Sequence, residues 1–173
     1  ILAAIAVPNF LEAQVRTKVS RVKSDFRSVA TAIEAYRVDF NDYPWFDNGA
    51  YPKKYGALSY RLWNLTTPVA YITTVNFRDP FVMMGTWGNY NDDLLRYQYN
   101  YRNYKFFGNW GFDCWVLNSL GPDRVKSQGL KTEIMIRGLD TSATPTIIYD
   151  STNGTKSAGD IPWTGGDTRY TNR

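Results

Sequence analysis

The opening forty residues constrain this chain more than any other stretch. They begin ILAAIAVP, eight residues with no charged or polar side chain. NFLEAQVRTKVSRVKSDFRSVATAIEAYRVDF follows, with apolar residues at Leu11, Val15, Val19, Val22, Phe26, Val29, Ile33, Tyr36 and Phe40. From Val19 onward the steps alternate between three and four residues. That period marks one face of a helix and does not fit a strand, whose side chains change sides at every residue. The spacing predicts one helix over 1–40, about 58 Å long at a rise of ~1.5 Å per residue.

The two parts of that helix suit different surroundings. Residues 1–10 are too apolar for water, yet shorter than the ~20 residues a bilayer span requires. With Ile1 in place of an initiator Met, the start reads as the remainder of a longer apolar segment, about a dozen residues short of a span. Pro8 has no N–H for the carbonyl of Ala4, and its ring crowds that carbonyl, so the helix is expected to kink or open there. In the amphipathic part, 11–40, the other faces turn basic after Glu12. Arg16, Lys18, Arg21, Lys23, Arg27 and Arg37 stand against Glu12, Asp25 and Glu34. This is chiefly a solvated face, and it also suits anionic headgroups or acidic residues on a neighbouring copy.

A chain of 173 residues leaves room for one globular head, 41–173, behind the helix. A hydrophobic content of 43% can furnish its core. There is no His, which removes the commonest general base and the commonest transition-metal ligand. With no Ser-His-Asp set, Cys-His pair or phosphate-cradling Gly loop either, an enzyme is not expected. Cys114 is the sole cysteine, so no intramolecular disulfide can form. The 13 Tyr and 6 Trp read as strand aromatics that pair across a sheet, ahead of any stacking platform for a ligand. Asn64-Leu65-Thr66 and Asn153-Gly154-Thr155 match a minimal glycosylation sequon, a short pattern of little weight.

Asn41-Asp42-Tyr43-Pro44 should stop the long helix. Residues 45–54 read as loop. Leu58, Leu62 and Leu65 are spaced for a short helix over Tyr55–Leu65, ended by Thr66-Thr67-Pro68. Val69–Phe81 is extended or irregular, and 83–93 is a turn-rich loop. Leu94–Tyr101 and Phe112–Ser119 read as strands, Thr146–Tyr149 as a short third one, and Asp150–Arg173 as a polar loop with a frayed end. The fold class is therefore α+β: a long N-terminal helix packed on a small antiparallel sheet. Three carboxylates, Asp123, Asp150 and Asp160, fall in turns beside Gly121, Gly154 and Gly159. Oxygen ligands on flexible loops suit a hard cation such as Ca²⁺. The same residues also form plain Asx-turns, and both readings stand at this point.

ILAAIAVPNFLEAQ, followed by a long amphipathic helix ending in AYRVDFNDYPW, resembles the type IV pilin-like superfamily, and most of all the major pseudopilins of type II secretion. Pro8 and Phe10 match the family's positions, and YRVDFNDYP resembles its Tyr-x-x-Asn-Gly-x-Tyr-Pro junction. The family's cleavage-site Gly and the acidic run after it are absent here, and this sequence would join that pattern just downstream of them, so neither is carried onto any residue. The resemblance implies a pilin-like fold and a structural subunit of a helical pilus or pseudopilus filament. Such a subunit is processed by a prepilin peptidase, methylated at its new N-terminus and anchored in the bacterial inner membrane. It then polymerises through its apolar helix. On this sequence the assembly residues would be Ile1, Leu2, Ile5, Val7, Pro8, Phe10 and Leu11. Implied partners are further copies of the chain, minor pseudopilins and an assembly platform. The implied location is the inner membrane and periplasm, or the cell surface for a surface pilus. A major surface pilin and a DNA-binding competence pilin are the alternatives, and nucleic acid carries little weight as a partner on a net charge of +4. The absence of a disulfide favours the pseudopilin branch. SLGPD and the later Asp-Ile pair resemble the family's calcium loops, with Asp123 and Asp160 matching and Asp150 lacking a secure counterpart.

Overall fold

The structure is a computed structural model and describes residues 2–45, 61–82, 98–105, 113–125, 148–152, 157 and 159–166, with side chains from residue 6 on. Its first element, α1, is the expected long helix, Leu2–Phe40, and it continues through Pro8 as one element. Asn41 closes it at φ 53°, and the Asn41 N–H donates to the Arg37 carbonyl at 2.9 Å. That bond marks a left-handed cap, a position where Asn is tolerated better than most non-glycine residues.

From Val19 to Ile33 the predicted stripe is buried: Val19, Val22, Phe26, Val29 and Ile33 all belong to the core. They pack on a three-stranded antiparallel sheet in the order β1 (Asn100–Asn103), β2 (Cys114–Ser119), β3 (Ile161–Gly166). Tyr101 lies opposite Leu117, and Leu117 opposite Trp163. β2 is central and buried along its whole length. Three side-chain contacts hold the helix to this layer. Phe26 meets the ring of Tyr99 edge-on at 4.8 Å. The Tyr99 hydroxyl donates to Asp25 at 2.8 Å. The Trp115 indole N–H donates to Glu34 at 2.9 Å. The α+β expectation is thus met.

Several expected elements differ. Of the helix over Tyr55–Leu65, residues 55–60 lie outside the described residues; Arg61 is helical, and a 3₁₀ turn follows over Trp63–Leu65. Leu62 and Leu65 are buried three residues apart, the spacing at which a 3₁₀ turn eclipses its side chains. The first strand is shorter than Leu94–Tyr101 and shifted along the chain, with 94–97 outside the described residues. The third strand is β3, inside the segment expected to be loop. Thr146 and Ile147 lie outside the described residues, and Ile148 makes a lone parallel bridge to Asp160.

The expected inner-membrane anchoring is corrected. Among the described residues no helix is long and apolar enough to cross a membrane. The uncharged run from Leu2 to Leu11 rises only about 15 Å, half of a ~30 Å hydrocarbon core. Beyond it, charges recur within every turn from Glu12 to Arg27.

Candidate functional site

Two places gather the residues singled out by the sequence. The first is the N-terminal end of α1. The core stripe does not stop at Val19. At ~3.6 residues per turn, Val15, Leu11 and Val7 continue along the same side of the helix, while Phe10 lies on an adjoining side, about 140° from the centre of the core stripe. Val15 still packs against the core. Leu11, Phe10 and Val7 are exposed by 53%, 61% and 57%. The head therefore covers the stripe only from about Val15 onward, and an apolar ridge extends beyond it. Ile1 lies outside the described residues, and Leu2 and Ile5 are described by their helical backbone alone. Pro8 sits inside this projecting part.

The second place is a junction of three loops at the end of β2. Asp79 reaches into it from the Asp79-Pro80 turn. Its carboxylate accepts the Phe81 N–H at 2.9 Å, the Ser119 hydroxyl at 2.9 Å and the Leu120 N–H at 3.1 Å. Burial pushes the Asp79 carboxyl up to about 6, against the three donors, which pull it down. Gly121 follows at φ 71°, and a Cβ built there would stand 2.1 Å from the Gly159 carbonyl oxygen. Only glycine fits both the backbone angle and that approach.

Asp123 spans the same junction. One of its oxygens accepts the Gly159 N–H at 2.6 Å, and the other the Val125 N–H at 3.1 Å. Asp160 is buried and accepts the Asn118 side-chain amide at 2.6 Å. Asp150 stays at the surface. Its carboxylate takes the Thr152 N–H and hydroxyl, which hold it below the usual carboxylate range. The structure thus joins the Asp123 and Asp160 loops directly and leaves Asp150 in a turn of its own. Much of this is Asx-turn chemistry. Among the described residues no group of three or more His, Cys, Asp or Glu side chains could hold a metal ion. One oxygen is left over: Asn118 Oδ1 is buried without a hydrogen-bond partner.

No family model, curated protein or solved structure matches this chain. The likeness to pilins therefore rests on the residues quoted for it.

Sequence reasoning missed Asp79 and Asn118. Nothing local to Asp79-Pro80 signals burial, because its three donors come from two segments about forty residues apart. Asn118 sits in a strand where alternation alone would pass it over. The sequon at Asn64 reaches the described residues, and there Thr66 spends its hydroxyl on the Trp63 carbonyl at 2.7 Å.

Proposed function

We propose that this chain is a structural subunit of a helical filament of the pilus or pseudopilus kind, with a pilin-like fold, polymerising through the N-terminal end of α1. One observation carries the reading: the stripe that fills the core of the head runs on, exposed, through Leu11 and Val7, with exposed Phe10 on an adjoining side of the same helix end. Apolar surface left in water on one side of a projecting helix marks an interaction face. A helix of another copy, bearing the same ridge, is a fitting cover for it. Contacts that repeat from copy to copy without closing give a fibre. Within this class we favour the pseudopilus of type II secretion, because the single cysteine excludes an internal disulfide. Minor pseudopilins, an assembly platform and a prepilin peptidase are partners by the same resemblance. Removing residues 1–10 should leave a head that stays a monomer in sedimentation. Fibres from that shortened chain would overturn the proposal.

Calcium enters the proposal at one place. Asp123 and Asp160 converge on the loop junction, and Asn118 Oδ1 adds a buried oxygen without a donor. These are the ligand types Ca²⁺ takes, and the ion would stiffen loops already tied by hydrogen bonds. At a Kd of about 1 mM, 10 mM Ca²⁺ would stabilise the head by roughly 1.4 kcal/mol. A rise in melting midpoint over the chelated protein, lost in Asp160→Asn, is the expected result. An unchanged midpoint would remove calcium and leave the filament reading intact.

A further inference from the structure

The core stripe leaves the head at both of its ends. At the C-terminal end of α1, Phe40 is 52% exposed, and its ring stacks on Tyr36 at 4.3 Å. Residues 63–71 fold onto the same end. The 3₁₀ turn lies against α1. Tyr71 meets the ring of Tyr36 edge-on at 5.8 Å, donates its hydroxyl to Asp39 and gives its N–H to the Leu65 carbonyl at 2.8 Å. The same segment carries Trp63 and Val69, exposed by 59% and 49%. This end of the helix therefore bears a second apolar patch, aromatic where the first is mostly aliphatic, and held in place by ring contacts and hydrogen bonds.

Tyr36 and Phe40 follow Val7 and Leu11 at an interval of 29 residues. At ~3.6 residues per turn that is close to a whole number of turns, so ridge and patch lie on one side of the helix, about 43 Å apart. α1 is continuous between them. No chain can lay its own ridge on its own patch. Neither surface offers a charge to a partner. Between Leu2 and Leu11 there is no ionisable side chain. Beside the patch, Asp39 is bonded by Tyr71, and Arg37 by Asp113 at 2.5 Å. An anionic lipid, a nucleic acid or a charged peptide gains little here, and an uncharged apolar surface gains most.

We propose that the patch of Tyr36, Phe40, Trp63 and Val69 is the seat on which the next copy lays Val7 and Leu11. The contact rests on the filament reading above and names its second half. Ridge on ridge would close a two-fold pair and leave every patch in water. Ridge on patch covers both surfaces of every copy and has no end, because the two halves are unlike. Since both halves face one way, copies in contact are turned by roughly half a revolution about the helix direction and stepped by about 43 Å along it. At ~150–250 Å² for an aromatic side chain, the exposed parts of the patch amount to roughly 400 Å². Both sides together bury about 800 Å², short of the ~1,200 Å² at which specific pairs begin. An isolated pair is therefore weak, and the contact holds where it is repeated along a fibre.

The test is exchange of charge across the contact, read by sedimentation and electron microscopy of full chains. Leu11→Lys alone and Phe40→Glu alone should each raise the concentration at which fibres appear by about tenfold or more. An equal mixture of the two should restore fibres, because each variant then meets either an intact surface or the opposite charge. Both positions are half-exposed, so an unchanged melting midpoint checks that each head is folded. Fibres from Phe40→Glu at the parent's concentration, or none from the mixture, would overturn this seat and leave assembly through the ridge standing. A parent chain that forms no fibres would overturn the filament reading and this contact with it.

Discussion

Gly121 and Asp79 show how single residues hold the loop junction. Replacing Gly121 with Ala would press a methyl group into the Gly159 carbonyl and force a positive φ on an L side chain. A loss of about 2 kcal/mol or more in denaturant unfolding is expected; a change under about 0.5 kcal/mol would mean that the two loops do not approach as described. Asp79 makes a pH prediction. Its folded-state pKa, about 6, lies above the ordinary 3.8, so the native state binds this proton more tightly than the unfolded chain does. The associated stability is fully present below pH 3.8 and disappears as pH rises through about 6. The difference approaches 3 kcal/mol, at ~1.36 kcal/mol per pKa unit. Wild-type stability should therefore gain on that of Asp79→Asn as pH falls from 7 to 4. A flat difference would show that the three hydrogen bonds cancel the effect of burial, and a reversed one that they outweigh it.

At the scale of elements, α1 was almost wholly legible in the sequence. Its three-and-four spacing is a local signal, and Asn41-Asp42-Tyr43-Pro44 is a local stop. The sheet was legible in part. β2 could be read because CWVLNS is rich in residues that suit strands. β3 could not, since IPWTGG carries a proline and two glycines and looks like a turn. Its glycines answer a demand made elsewhere in the chain. Trp115 lies flat over Gly165, where a Cβ would come within 2.3 Å of the indole ring. Tertiary packing thus selects a poor strand former. The loop junction was legible only as a set of turns, because Asp79 and Asn118 join it through distant chain segments. The seam between α1 and the sheet turns on Phe26, fully buried against Tyr99. Phe26→Ala should cost about 3–5 kcal/mol, measured by thermal or denaturant unfolding. A cost below about 1 kcal/mol would mean that helix and sheet are not packed as one core.

On the scale of the whole molecule, one helix performs two tasks with one stripe. Its middle closes the head, and its N-terminal end offers the same kind of surface to whatever lies outside. Such a helix is an addressable rod: a core on one length, an apolar ridge on another. The measurement that bears most directly on this account is negative-stain electron microscopy, with sedimentation, of the chain beside Phe10→Asp/Leu11→Asp. Both substitutions lie clear of the core, so the head should unfold at an unchanged midpoint. The account predicts fibres from the parent chain and single particles from the variant. Fibres from both, or single particles from both, would contradict it.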